Sequence, residues 1–376
     1  MTLKLDQVSK KVGGAQHLYP LDLELKPGLN VLIGPTLAGK TSLMRLMAGL
    51  DKPSSGRILM DGREVTDMPI QKRSVAMVYQ QFINYPSFTV YDNLASPLRL
   101  AGLAKAEIER RVREMAALLH LEPYLERLPG ELSGGQQQRT AMARALIKDA
   151  SLLLFDEPLV NLDYKLREEL RAEMREIFQR RQAVVVYATT EPLEALLLGG
   201  ASTVLDAGRV LQHGPTLEVY HRPATVRAGQ IFSDPPMNTV LGKVEDGMAW
   251  LGEQIGLPLA GHLTDLAPGR YRFGVRANHL FIAPGSAEDV AINAVTQLAE
   301  VNGSETFIHI THHDGTYWVV QEEGVHSLGL GKEIQIYVHP RHLFVYDEAD
   351  RLVAAPRSER RLAATPPEPE TRHGAH

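Results

Sequence analysis

The 376-residue chain contains no cysteine, which excludes disulfides and thiolate metal sites and suits a reducing compartment. It carries no excess of positive charge. A formal net charge of −5, with no basic run, does not point to a nucleic-acid binder, which draws on clustered lysine and arginine. No apolar stretch approaches the ~20 residues needed to cross a bilayer. The longest, Ala183 to Val204, is broken by Glu191, Pro192 and Glu194. The opening Met1-Thr-Leu-Lys-Leu-Asp6 lacks a charged segment leading into an apolar stretch and a cleavage site, so no export signal is expected. Any membrane role is expected to be peripheral.

The length exceeds that of one typical domain, so two domains with separate cores are expected. Three segments that handle phosphate stand in order along the first part: Gly34-Pro-Thr-Leu-Ala-Gly-Lys-Thr41, Leu132-Ser-Gly-Gly-Gln136 and Leu152-Leu-Leu-Phe-Asp-Glu-Pro158. The first fits a phosphate-binding loop, in which small residues let backbone N–H groups wrap the phosphates. Its Lys40 reaches the terminal ones and the hydroxyl of Thr41 helps to hold magnesium. The third is an apolar strand ending in two carboxylates, Asp156 to face the metal and Glu157 to polarise the attacking water as general base. That combination predicts an ATPase.

Leu3 to Val8 and Leu21 to Leu25 alternate apolar and polar residues, as strands of an antiparallel edge layer would. Val31 to Ile33 reads as a buried strand feeding the glycine loop, and Thr41 to Leu50 as a helix whose positive end meets the phosphates. Residues 80–149 turn helical, with Ile108, Val112, Met115, Leu118 and Leu119 as the apolar positions of one helix. Strands return at Leu152 to Phe155, Val184 to Ala188 and Ser202 to Leu205, alternating with helices. The expected fold class is therefore α/β, with a mostly parallel sheet covered on both faces. After Pro235-Pro236 the chain shows short alternating runs at Val240, Tyr271, Thr306, Tyr317 and Glu333, which predict a small β-barrel of the oligonucleotide/oligosaccharide-binding shape. Ala355 to His376 is polar, bears prolines and is expected to be disordered.

Ser133-Gly-Gly-Gln136, lying between the other two segments, resembles the signature of the ABC transporter ATPases. The resemblance covers residues 1–232 densely. More weakly, residues 235–354 resemble the regulatory TOBE domain of carbohydrate and polyol importers in this family. It implies ATP and Mg2+ as cofactors. Gly34, Pro35, Thr36, Leu37, Ala38, Gly39, Lys40, Thr41 and Ser42 would bind ATP, and Thr41, Gln80 and Asp156 would serve the metal. Gln80 matches the glutamine that links metal and water to the helical subdomain, and Gln81 competes for that role. Ser133, Gly134, Gly135 and Gln136 precede a helix expected to start near Gln137, so hydroxyl, amides and dipole can all face an anion. In the family that anion sits on a partner ATPase, in a head-to-tail pair crossed at this chain's Asp163. The resemblance further implies two transmembrane permease subunits, an extracytoplasmic solute-binding protein, no nucleic acid, and a place on the cytoplasmic face of the membrane. A glycerol or glycerol-phosphate solute is the narrowest expectation.

Three positions depart from the family pattern. Thr190, in Tyr187-Ala-Thr-Thr-Glu-Pro192, stands where importers carry a histidine that can contact the terminal phosphate and titrate near neutrality. Either hydrolysis at this subunit's own site is slowed, or Thr190 simply caps a helix beginning at Glu191. Leu37 replaces a common glycine and costs the loop some backbone freedom, though binding should survive. Val12 stands where an aromatic often stacks on adenine, with Tyr19 and His17 as alternatives. Together these departures suggest pairing with a different, complementary ATPase, this chain being a catalytically weakened partner, with a homodimer as the alternative. A soluble ATPase of translation or repair would carry two ATPase halves or a long coiled insertion, and neither is visible. A chain that held ATP without splitting it would not need Glu157. His312 and His313, with Asp314, point to opposite strand faces and are not expected to bind one ion.

Overall fold

A computed structural model describes residues 2–357 apart from Asn161, Asp163, Arg180, His313 and Asp314. The expected interface residue Asp163, two of the three residues at the histidine pair, and the tail beyond Arg357 thus lie outside the described residues.

The first part runs β1 (Leu3–Val12), β2 (Ala15–Leu25), β3 (Gly28–Ile33), α1 (Lys40–Ala48), β4 (Ser55–Met60), β5 (Arg63–Glu64) and β6 (Val75–Val78). It continues through α2 (Val90–Leu100), α3 (Lys105–Leu118), α4 (Gly134–Leu146), β7 (Leu152–Asp156), α5 (Tyr164–Gln179) and β8 (Val184–Thr189). Next come α6 (Pro192–Leu198), β9 (Ala201–Asp206), β10 (Arg209–Pro215), α7 (Thr216–His221) and α8 (Val226–Ile231). Strands β2-β1-β4-β5 form an antiparallel edge sheet, with β1 and β2 turned at Gly13 and Gly14, both at positive φ. The central sheet is ordered β10-β9-β3-β8-β7-β6 and is parallel except at β10.

The unbroken apolar runs explain why that sheet is buried on both faces. Leu153, Phe155, Val185 and Tyr187 pack towards the helical layer, while their neighbours Leu154, Val184, Val186 and Ala188 pack with Leu43, Met44 and Met47 of α1. In α3 the buried stripe is Ile108, Val112, Met115 and Ala116, followed by Leu119. Leu118, expected to be apolar core, is instead 39% exposed, because it lies off that stripe.

The second part is all β. Strands β11 (Asn238–Glu245), β12 (Met248–Leu251), β13 (Ile255–Pro258) and β14 (Gly269–Val275) lead to β15 (Leu280–Phe281), β16 (Val290–Asn302), β17 (Glu305–His312) and β18 (Tyr317–Glu323). The chain then passes through β19 (Glu333–Val338), β20 (Phe344–Tyr346) and β21 (Leu352–Ala354). A six-stranded sheet, β13-β12-β11-β14-β20-β21, faces a five-stranded one, β15-β19-β16-β17-β18, across a shared core containing Val240, Phe273, Ile292, Ile308, Trp318 and Ile336. Asn238 ties the two together by donating to Val319 O and accepting from Val319 N, each at 2.8 Å. Ala355, placed at the start of the expected disordered stretch, is buried with Val226, Met237, Phe344 and Tyr346.

The two parts are joined by Arg276. Its guanidinium donates to the carbonyls of Phe232 and Tyr220 and lies 3.5 Å over the Tyr220 ring. A buried cation at the carboxyl ends of α7 and α8 is favoured by the carbonyls those helices leave unpaired.

Candidate functional site

The phosphate loop leaves β3 at Gly34, where a Cβ would lie 2.3 Å from the Leu205 carbonyl; only glycine lets the loop run under β9. Leu37 at φ +67° and Gly39 at φ +103° turn the chain back, and α1 begins at Lys40, one residue before the expected start. The amides of the first turn of α1 therefore face the loop's mouth, as anion binding requires. Thr36, Leu37 and Thr41 are exposed, and Ser42 is half-buried.

Lys40 is 5% exposed. Its Nζ donates to Gly34 O at 2.7 Å and Pro35 O at 3.1 Å and pairs with Glu157 Oε1 at 3.2 Å. Asp156 ends β7, nearly buried. Burial pushes its carboxyl up, the hydrogen bond with Thr41 and the charge of Lys40 oppose this, and the charge of Glu157 adds to it. Glu157 follows at φ +46° with its N–H donating to Ala188 O at 3.1 Å. Gln80 Nε2, and not Gln81, donates to its second oxygen at 3.3 Å. Lys40 of the loop, Gln80 after β6 and Glu157 after β7 thus meet at one spot. The Lys40–Glu157 pair itself was not foreseen, since no local periodicity reports a contact between a loop and a distant strand end.

Ser133 does not join that cluster. It is the N-cap of α4, which starts at Gly134 rather than near Gln137. Ser133 Oγ accepts from Gln136 N at 3.3 Å, while Gln136 Oε1 accepts from Ser133 N at 3.0 Å. This reciprocal cap overrides the weak helix propensity of Gly134-Gly135. Ser133 and Gly134 remain exposed, on a surface shared with the start of α5: a Cβ on Gly135 would lie 2.3 Å from Leu166 Cδ2.

Comparison with known proteins decides the family. Residues 18–160 match the ABC transporter family and 273–345 the TOBE domain. The chain is 36% identical over 364 residues to the sn-glycerol-3-phosphate import ATP-binding protein UgpC of Cupriavidus pinatubonensis, covering 92% of this chain and 97% of that one. It is 34% identical over 357 residues to the alpha-glucoside transport ATP-binding protein AglK of Rhizobium meliloti, with the same coverage. The chain belongs to the ATP-binding subunits of ABC importers. Its fold agrees with the ATP-binding cassette MJ0796, solved as a dimer in a post-hydrolysis state bound to ADP and Pi, at a TM-score of 0.53 and 28% identity over 57% of this chain and 98% of that one. As a member of this family the chain is an ATPase that couples ATP hydrolysis to transport. No helix among its described residues is long and apolar enough to cross a membrane.

At the importer's histidine position, Thr190 is half-buried and makes no side-chain hydrogen bond among the described residues. It does not cap α6, contrary to one expectation. Glu191 is the N-cap, without a side-chain bond, and Pro192 is the first helical residue. The local contacts come from Thr189, whose Oγ1 accepts from Glu191 N at 3.0 Å and donates to Glu194 Oε2 at 2.6 Å. Tyr187 also donates to Glu194, and burial pushes the Glu194 carboxyl up. Near the expected adenine position, Val12 is about half exposed, and Tyr19 has Arg209 stacked 3.5 Å over its ring, so one of its faces is already taken. His17 is exposed beside the loop, its carbonyl close to Gly39.

Among the described residues no three His, Asp or Glu side chains cluster as a metal cage. The donors at hand are the Thr41 hydroxyl, the Asp156 carboxylate and the Gln80 amide oxygen. That set suits magnesium, which binds few protein oxygens and keeps waters and phosphate oxygens in its shell.

Proposed function

We propose that the chain drives uptake by clamping ATP between Gly34 to Ser42 of one cassette and Ser133 to Gln136 of a second, with Asp163 at their interface. Within each site Lys40 neutralises phosphate charge and Glu157 polarises the attacking water while Gln80 orients it. Magnesium, held by Thr41, Asp156 and Gln80, would supply charge neutralisation at the phosphates. Residues 1–232 form the ATPase unit and 235–354 a regulatory unit. The partners are two permease subunits and an extracytoplasmic binding protein, and the chain works at the cytoplasmic face. The reading is carried by the buried Lys40, ion-paired with Glu157 in a loop shaped for phosphate.

The solute is glycerol 3-phosphate, the molecule named in the import function of the UgpC relatives. Uptake of labelled glycerol 3-phosphate and of an alpha-glucoside by cells carrying the whole transporter tests this. Glucoside uptake alone would overturn the assignment. Thr190 favours a second reading, a weakened cassette paired with a more active one. Copurification of a different cassette with the membrane subunits would establish it.

A further inference from the structure

Glu194 is a carboxyl with 4% exposure, and its bonds run away from the helix that carries it. It lies in the first turn of α6, yet its Oε2 accepts from Thr189 Oγ1 at 2.6 Å and from Tyr187 Oη at 3.1 Å, two residues on one face at the end of β8. An apolar side chain would pack α6 on that strand without the desolvation cost of a carboxyl. What the acid adds is a fixed hydrogen-bond geometry at the strand end.

That strand end borders both halves of the phosphate site. β8 lies between β3 and β7 in the sheet: Thr189 is in register with Ile33, the residue before the phosphate loop, and Ala188 with Asp156. Ala188 O accepts the N–H of Glu157, whose backbone stands at φ +46°. Such a conformation persists only where its surroundings hold it. The carbonyl that does so belongs to the peptide bond joining Ala188 to Thr189. The Thr189 hydroxyl, held by Glu194, in turn accepts from Glu191 N at 3.0 Å, so the bonds run unbroken from α6 through the strand end to Glu157.

We infer that Glu194 is a positioning residue for hydrolysis: by holding Thr189 it fixes the Ala188 carbonyl, and through that carbonyl the backbone of Glu157. It acts through Glu157 and takes no part in binding ATP. This inference rests on the reading of Glu157 as general base and adds to it a residue that keeps the base in place.

Steady-state ATP turnover by the full chain in the reconstituted transporter tests it, for Glu194→Ala, Glu194→Gln, Thr189→Val, Glu157→Gln, and Glu194→Ala combined with Glu157→Gln. Glu194→Ala lowers kcat by about tenfold or more, since displacing a reacting group by about 1 Å can cost about 10²-fold. The KM for ATP stays within about twofold, because the phosphate loop is untouched. Glu194→Gln recovers most of the rate, since one amide oxygen can accept both hydroxyl bonds. Thr189→Val removes the hydroxyl that joins Glu194 to the strand and is slow in the same way, which covers a Glu194→Ala chain that fails to fold. In the Glu157→Gln background, Glu194→Ala changes the residual rate by less than about twofold, a coupling that a merely structural role would not produce. Turnover by both Glu194→Ala and Thr189→Val within about twofold of the parent's overturns the inference, as does an equal fold loss with and without the Glu157 carboxylate. Turnover by Glu157→Gln kept within about threefold overturns the reading of Glu157 as base, and the inference with it.

Discussion

Lys40 Nζ lies 3.2 Å from Glu157 Oε1, so the proposed phosphate ligand and the proposed general base neutralise each other. Gln80 holds the other Glu157 oxygen at 3.3 Å. A triphosphate entering the loop competes with Glu157 for Lys40. Once the ammonium turns to phosphate, the carboxylate is free to polarise water, so base and substrate are coupled through one cation.

Replacing Glu157 with glutamine separates those effects. Turnover falls by about 10²–10⁴-fold because the base is gone. ATP affinity is equal or higher, because Lys40 loses a competing anion. Phosphate release and equilibrium binding of a fluorescent ATP analogue measure the two. Turnover kept within about threefold would remove Glu157 from the role of base.

Thr190→His restores an ionisable group where the importer pattern has one. Since Thr190 makes no cap to α6, the substitution leaves that helix start intact. Turnover rises and acquires a pH dependence near neutrality from the imidazole. An unchanged rate in the reconstituted transporter removes the idea that Thr190 slows this site.

The second part is expected to be acid-sensitive through His279, whose ring stacks on that of His342. Burial, with the nearby His342, Arg276 and Arg341, lowers its pKa from 6.5 to about 3. An unfolded chain takes up this proton near pH 6.5 while the folded one refuses it. The stability from this residue is complete above pH 6.5 and is lost as pH falls towards 3, by at most about 1.4 kcal/mol per pH unit. His279→Phe keeps a ring stacked on His342, now 4.1 Å away, and reduces the decline. Urea midpoints between pH 7 and 5 check it; an identical decline in both proteins contradicts it.

Much of the fold was legible because its signals are local. The continuous apolar runs of β7 and β8 give a sheet covered on both faces, and Gly34 of the phosphate loop occurs where a Cβ would strike the Leu205 carbonyl. The start of α4 was misplaced because Gly134-Gly135 suggest loop, whereas the Ser133–Gln136 cap starts the helix three residues earlier. Thr190 stands where a helix beginning at Glu191 would have its cap, but that helix begins at Pro192 and Thr189 makes the local bonds. Strands after Pro235 were readable by alternation. Their division into two sheets depends on long-range pairs such as Asn238 with Val319, which no short window contains.

The absence of cysteine permits a direct test of the clamp. Chains carrying Thr36→Cys are mixed with chains carrying Ser133→Cys, both with Glu157→Gln, and treated with a short thiol-to-thiol cross-linker. The account predicts cross-linked dimers that form with ATP and fade with ADP, because the loop of one chain then faces the serine turn of another. Cross-linking that is absent with ATP, or equal without nucleotide, contradicts it.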